Sequence, residues 1–161
     1  MLLLYFAFIV PHLTLHIEIW GASPEYHIKK LQIRQNKLLR AILGIKLENG
    51  IPTVGTVEMY RDLSVLNLKD LFKLKVFRLL VSLLNGQLPL FYDILLRPLL
   101  SSHGYNTRTG DFRHPLLTCE VERRAIAHQL VVLYDETPSE FYDMTLRKAI
   151  KHYKRHLLYS Q

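Results

Sequence analysis

Apolar residues recur every three to four positions along most of this chain, the spacing of helices that bury one face. The opening stretch from Leu2 to Trp20 differs. Its apolar residues fall on nearly every side, which predicts one or two buried helices interrupted near Pro11. Ser23-Pro24-Glu25 then reads as a helix start, with Ser at the N-cap, Pro at the first helical position and an acid in the first turn. That helix runs to about Gly44, a candidate C-cap, with Ile28, Leu31, Leu38, Leu39 and Ile42 on its apolar side. Asn49-Gly50 and Ile51-Pro52 mark a turn and loop over 47–55, and a short helix covers 53–61. Asn67, three residues before Asp70, is a candidate N-cap for a strongly periodic helix over 68–84 that Asn85-Gly86 ends. A further short helix is expected over 90–96.

The remainder is less regular. Residues 101–120 lack helical period and are rich in turn formers, so they read as loop with at most a short strand near 116–121. Residues 123–134 suit a helix or a strand, Thr137-Pro138 breaks the chain, and 139–159 reads as a final basic helix. The expected fold is mainly α: an irregular helical bundle, then a loop-rich segment, then a C-terminal helix.

Composition narrows this picture without redirecting it. At 161 residues, with 49% apolar and 22% charged side chains, the chain suits one globular domain or two small ones. The lone Cys119 excludes an internal disulfide and any multi-cysteine zinc site. MLLLYFAFIV lacks a basic leader, and Pro11 follows it at once. It is too short to cross about 30 Å of hydrocarbon as a helix, so a core helix is expected rather than a signal peptide or membrane span.

Charge does change the picture. The net charge is +7, and between Glu25 and Glu48 six basic residues face two acids. Lys30, Arg34 and Lys37 form an i, i+4, i+7 stripe on the predicted helix, flanked by Lys29 and Arg40. Such a localised basic face suits a polyanion, usually RNA or DNA; a solvated helix face is the alternative.

Other chemistry finds little support. His12 and His16, like His152 and His156, are spaced i, i+4, but neither pair has an obvious third ligand, and the second sits among Lys151, Lys154 and Arg155. No predicted strand carries adjacent aspartates for two-metal nucleotidyl transfer, and no glycine-rich phosphate loop or nucleophile elbow is present. Neither a catalytic centre nor a metal site is expected.

Several stretches, in order, resemble the end of reverse transcriptases encoded by jockey-like non-LTR retrotransposons. YFAFIVPHLTLHIEIWG, residues 5–21, is similar to the family's "Y…PHLTYGIEIWG", with Leu15-His16 in place of Tyr-Gly. LQIRQNKLLR (31–40), LNLKDLFKLKVF (66–77), Leu88-Pro89 with Phe91, HGYNTR (103–108), YDETP (134–138) and the closing FYDMTLRKAIKHYKRHLL follow in family order. HGYNTR and PHLT…IEIWG are the most specific. Departures fall at Leu15-His16, at Leu130-Val131 where the family has Gly-Pro, and at Asp135 and Thr137 where it has Asn and Leu.

The resemblance implies a thumb-like helical region over 1–98 and a tail region over 99–161. It implies a fragment of an RNA-directed DNA polymerase without its catalytic palm. The polymerase's aspartates and magnesium ions would lie upstream of Met1, so no activity and no cofactor are expected here. The implied residual role is non-sequence-specific binding of RNA or an RNA/DNA duplex by its phosphates, through Lys29, Lys30, Arg34, Lys37 and Arg40. The missing palm or a second copy is a further expected partner, a membrane is not, and an intracellular site, cytoplasmic or nuclear, is expected. A non-catalytic helical interaction module, or a relic of the element, is the alternative. Trp20 and Tyr105 are candidate base-stacking aromatics, with a core role favoured for Trp20.

Overall fold

The structure is a computed structural model that describes residues 2–45, 47–48, 51–88, 119 and 124–159. The expected helix over 90–96, the strand near 116–121 apart from Cys119, the HGYNTR element and Tyr105 lie outside these. The fold is mainly helical, as the periodicity predicts. The elements are α1 (Leu2–Leu4), a π turn (Tyr5–Ile9), α2 (Val10–Thr14), α3 (Ile17–Trp20), α4 (Glu25–Leu43), β1 (Leu47–Glu48), β2 (Ile51–Pro52), α5 (Thr56–Asp62), α6 (Leu68–Leu84), α7 (Ile126–Glu136), a 3-10 turn (Ser139–Phe141) and α8 (Leu146–Tyr159). They fall in two compact units, Met1–Phe72 with Lys154–Gln161, and Lys73–Tyr153.

The opening segment departs from expectation twice. Helical backbone continues through Pro11, which sits in the first turn of α2. The preceding π turn widens the helix, its closing bond running from the Val10 N–H to the Tyr5 carbonyl. That widening absorbs the missing proline N–H and the ring's conflict with a preceding carbonyl. The break comes instead at Leu15-His16. Leu15 is extended, and His16 takes the left-handed conformation, φ 50° and ψ 30°. The segment is also not buried all round: Tyr5, Leu13 and Ile17 are core residues, whereas Leu3, Phe8, Leu15 and Ile19 are exposed.

Three motif residues hold this corner. The Thr14 hydroxyl donates to the Pro11 carbonyl (3.2 Å), and the Trp20 indole N–H donates to the Leu15 carbonyl (2.7 Å). A Cβ on Gly21 would overlap the Phe72 ring and lie 2.5 Å from the Ile17 carbonyl oxygen, so only glycine fits there.

α4 begins at Glu25. Ser23 is not its cap: Pro24 takes the N-cap position with no side-chain cap bond, and Ser23 belongs to the preceding turn, its N–H donating to the Trp20 carbonyl (3.0 Å). The other end is as predicted. Gly44 is left-handed (φ 66°), and the Ile45 N–H returns to the Arg40 carbonyl (3.0 Å). The stretch read as loop contains a minimal hairpin, Leu47 opposite Pro52 and Glu48 opposite Ile51, joined by two residues. α5 starts three residues later than expected, at Thr56, where the Glu58 carboxylate accepts the Gly55 N–H (3.3 Å).

The core of the first unit includes Tyr5, Leu39, Met59, Tyr60 and Val65, with a neighbouring cluster of Leu13, Ile28 and Leu68. Trp20 packs on the latter. A polar seam crosses this apolar interior. The side chain of Gln35, 4% exposed, donates to the Tyr5 hydroxyl (2.9 Å) and the Leu66 carbonyl (3.1 Å). The Gln32 amide donates to Gln35 and Asn36 (both 3.0 Å) and to the Tyr60 hydroxyl, which in turn donates to Asn36 (2.6 Å). The Gln32 carbonyl accepts the Leu68 N–H (2.8 Å), supplementing the cap that Asn67 makes on the Asp70 N–H (2.9 Å). α6 is thus keyed to α4 by hydrogen bonds that tolerate one register.

In the second unit, Val76, Leu80, Val81 and Leu130 are buried with Phe77 and Tyr153, and an aromatic cluster forms around those two rings. Phe77 stacks on Tyr153 (centroids 4.1 Å apart, planes at 17°), Phe141 meets both edge-on, and Tyr142 stacks on Tyr134 (5.1 Å). Residues 126–136 are helix, and buried Leu130, Val131 and Leu133 supply its inner face. Thr137 is buried, but its hydroxyl donates to the Leu133 carbonyl (2.6 Å). The last helix starts at Leu146, not at 139, since Phe141 and Tyr142 leave helical register to reach the aromatic cluster.

Candidate nucleic-acid interface

α4 carries the predicted basic residues, and the buried stripe of Ile28, Gln35 and Leu39 fixes which way each one points. Lys30, Arg34 and Lys37 are exposed along the opposite side, and no ion pair among the described residues neutralises them. Lys30 lies over the Tyr26 ring, 4.1 Å from its centroid. Tyr26 and Ile33 are exposed beside the same stripe. The face therefore offers cations flanked by an aromatic and an aliphatic side chain, which can neutralise phosphates and support a base or sugar.

Lys29 and Arg40 do not join that stripe. Lys29 turns towards a groove of about 320 Å³ shared with Glu25, Gln32, Asn36, Tyr60 and Lys69. Glu25 occupies Lys69 there (2.8 Å), and that ammonium, with help from Lys29, holds the Glu25 carboxyl below its ordinary range. Arg40 is half-buried and donates to the Thr56 hydroxyl (3.2 Å), while its Nε has no partner among the described residues. Of the five predicted contacts, three are presented together, one faces a paired groove, and one braces α5.

Tyr60, on the groove's inner wall, is pushed well above the ordinary tyrosine range. Burial is the main cause and repulsion from an ionised Tyr5 adds to it; the Gln32 hydrogen bond and Arg40 pull the other way. Tyr5 is raised as well, by burial. These phenols are structural hydrogen-bonding groups, not bases.

The stacking candidates resolve differently from expectation in one respect. Trp20 is engaged in its own corner, as its apolar neighbours suggested. Tyr26 is the exposed aromatic beside the cations, and its i, i+4 spacing from Lys30 was the available signal. His12 and His16 do not share a helical face, because the left-handed break falls between them. Among the described residues no three His, Cys, Asp or Glu side chains gather as a metal site, and no helix is long and apolar enough to cross a membrane.

No protein-family model, curated protein or solved structure matches the chain.

Proposed function

We propose that this chain is the thumb-and-tail end of a jockey-like non-LTR retrotransposon reverse transcriptase, and that it binds RNA or an RNA/DNA duplex through backbone phosphates without catalysing a reaction. The observation that carries the binding role is the exposed, unneutralised stripe of Lys30, Arg34 and Lys37 on a helix whose other face is anchored in the core. Its affinity comes from counterion release, so it is salt-dependent and indifferent to sequence. Two details support the family reading. The left-handed residue of the opening corner, His16, stands where the family pattern has glycine, and Trp20 and Gly21, which match that pattern, each have a structural task in the same corner. In this reading the magnesium ions of the parent polymerase belong to another part of it, and the site of action is intracellular.

The test is binding of the intact chain to labelled single-stranded RNA at several salt concentrations, compared with a Lys30→Glu, Arg34→Glu, Lys37→Glu variant. Affinity should fall at least tenfold in the variant and steeply with salt in the parent. Equal binding by both proteins would overturn the assignment of α4.

A second reading has its own observation. Leu3, Phe8, Leu15 and Ile19 leave an exposed apolar surface on the first helices, the kind that marks a protein contact. Under this reading the chain is a helical interaction module. Light scattering coupled to size exclusion separates the two: a discrete oligomer indifferent to RNA favours the module.

A further inference from the structure

α8 carries Arg147, Lys148, Lys151, Lys154 and Arg155 and no acidic residue. Its orientation is settled by burial of Ala149, Tyr153 and Leu157, spaced i, i+4, i+8. Arg147, Lys151 and Arg155 repeat that spacing on the exposed side, with Lys148 and His152 exposed next to them. Among the described residues Arg147, Lys148, Lys151 and Arg155 form no ion pair. Successive rungs of this ladder are about 6 Å apart along the helix axis. Like charges one turn apart destabilise a helix, so folding alone gives no reason to gather them. With the segment from Glu25 to Glu48, α8 holds more net positive charge than the whole chain, whose remainder is therefore net negative.

We infer that the exposed face of α8 is a second phosphate-binding surface, which takes the backbone of a nucleic acid in its own right. The inference rests on the proposed nucleic-acid role and extends it to a helix that role did not include. A basic amphipathic helix can also serve a membrane surface or a partner's apolar groove, but both uses require its apolar face. Here Ala149, Tyr153 and Leu157 are committed to the protein interior, leaving a charged face with Tyr159 at its end. A nucleic-acid backbone can bind such a face through phosphate contacts alone, with nothing inserted.

The experiment uses the intact chain and an Arg147→Gln, Lys151→Gln, Arg155→Gln variant, glutamine being a good helix former. Anisotropy of labelled single-stranded RNA is followed from roughly 50 to 200 mM salt. Removing three phosphate contacts should flatten the log–log salt slope by about 2. An unchanged slope, with α4 substitutions still abolishing binding, would overturn this inference and leave the α4 reading standing. Absence of salt-dependent RNA binding by the parent would overturn both. A variant that lost binding to phosphatidylserine vesicles while keeping the parent's RNA slope would assign the face to a membrane instead. Should the variant lose its helical circular dichroism, amine-reactive labelling of the unmodified chain decides. RNA should protect Lys148, Lys151 and Lys154, and equal labelling with and without RNA would refute the proposal.

Discussion

Replacing His16 tests the corner on which, among the described residues, the proposed family resemblance chiefly rests. Its φ of 50° and ψ of 30° place it in the left-handed region, where a side chain costs roughly 1–2 kcal/mol relative to glycine. The imidazole returns little. It is 65% exposed, and the carboxylate of half-buried Glu18 lies 4.0 Å away, at the outer limit of an ion pair and worth at most about 0.5 kcal/mol. His16→Ala should therefore leave stability within about 0.5 kcal/mol of the parent. His16→Gly removes the backbone strain but restores about 0.4–1 kcal/mol of unfolded-chain freedom. The net expectation is stabilisation by about 0.5–1 kcal/mol, or about 1–4 °C in melting temperature. The sign of the Gly–Ala difference is the sharper readout. In a left-handed residue glycine wins; in an ordinary helical one alanine wins by about 0.5–1 kcal/mol. Urea denaturation of the three proteins, with m-values checked for equality, measures it. A more stable His16→Ala would show that residue 16 continues a helix, and the match between this backbone position and the family's glycine would be lost.

Three further expectations concern the interior. Gln35→Ala strands the Tyr5 hydroxyl and the Leu66 carbonyl away from water and should destabilise by about 2–4 kcal/mol, read from the urea midpoint; a loss under 1 kcal/mol would mean the polar seam is solvated. Gly21→Ala should lose about 1–3 kcal/mol by forcing Phe72 and the Ile17 carbonyl apart, and a Phe72→Leu background should recover part of it. Tyr60 and Tyr5 both have raised pKa values in the folded chain. The unfolded chain therefore gives up their protons first, and stability should be intact below about pH 10 and fall progressively above it. Tyr60→Phe should reduce that alkaline decline, as ultraviolet phenolate titration alongside unfolding curves can show.

Local rules settled much of this chain. The 3.6-residue period of α4 and α6, the left-handed Gly44 that ends α4 and the Asn67 cap are short-range effects, so they were legible without any tertiary contact. So was the Lys30, Arg34, Lys37 stripe, because spacing alone puts those residues on one side. Tertiary structure decided the rest. Gln32, Gln35 and Asn36 look like surface residues in the sequence, and they became the polar seam only because Tyr5, Tyr60 and Leu66 arrive from distant segments to satisfy them. Arg40 reads as one more cation until α5 brings Thr56 to it. Phe141 and Tyr142 suit a helix until Phe77 offers aromatic contact elsewhere. The cations of α8 were visible as a basic run, but burial of Ala149, Tyr153 and Leu157 was needed to show which of them form a ladder. Helical period and end signals depend on neighbours within a few residues. Which polar side chains are buried, and which charged face remains outside, depends on what the rest of the chain packs against.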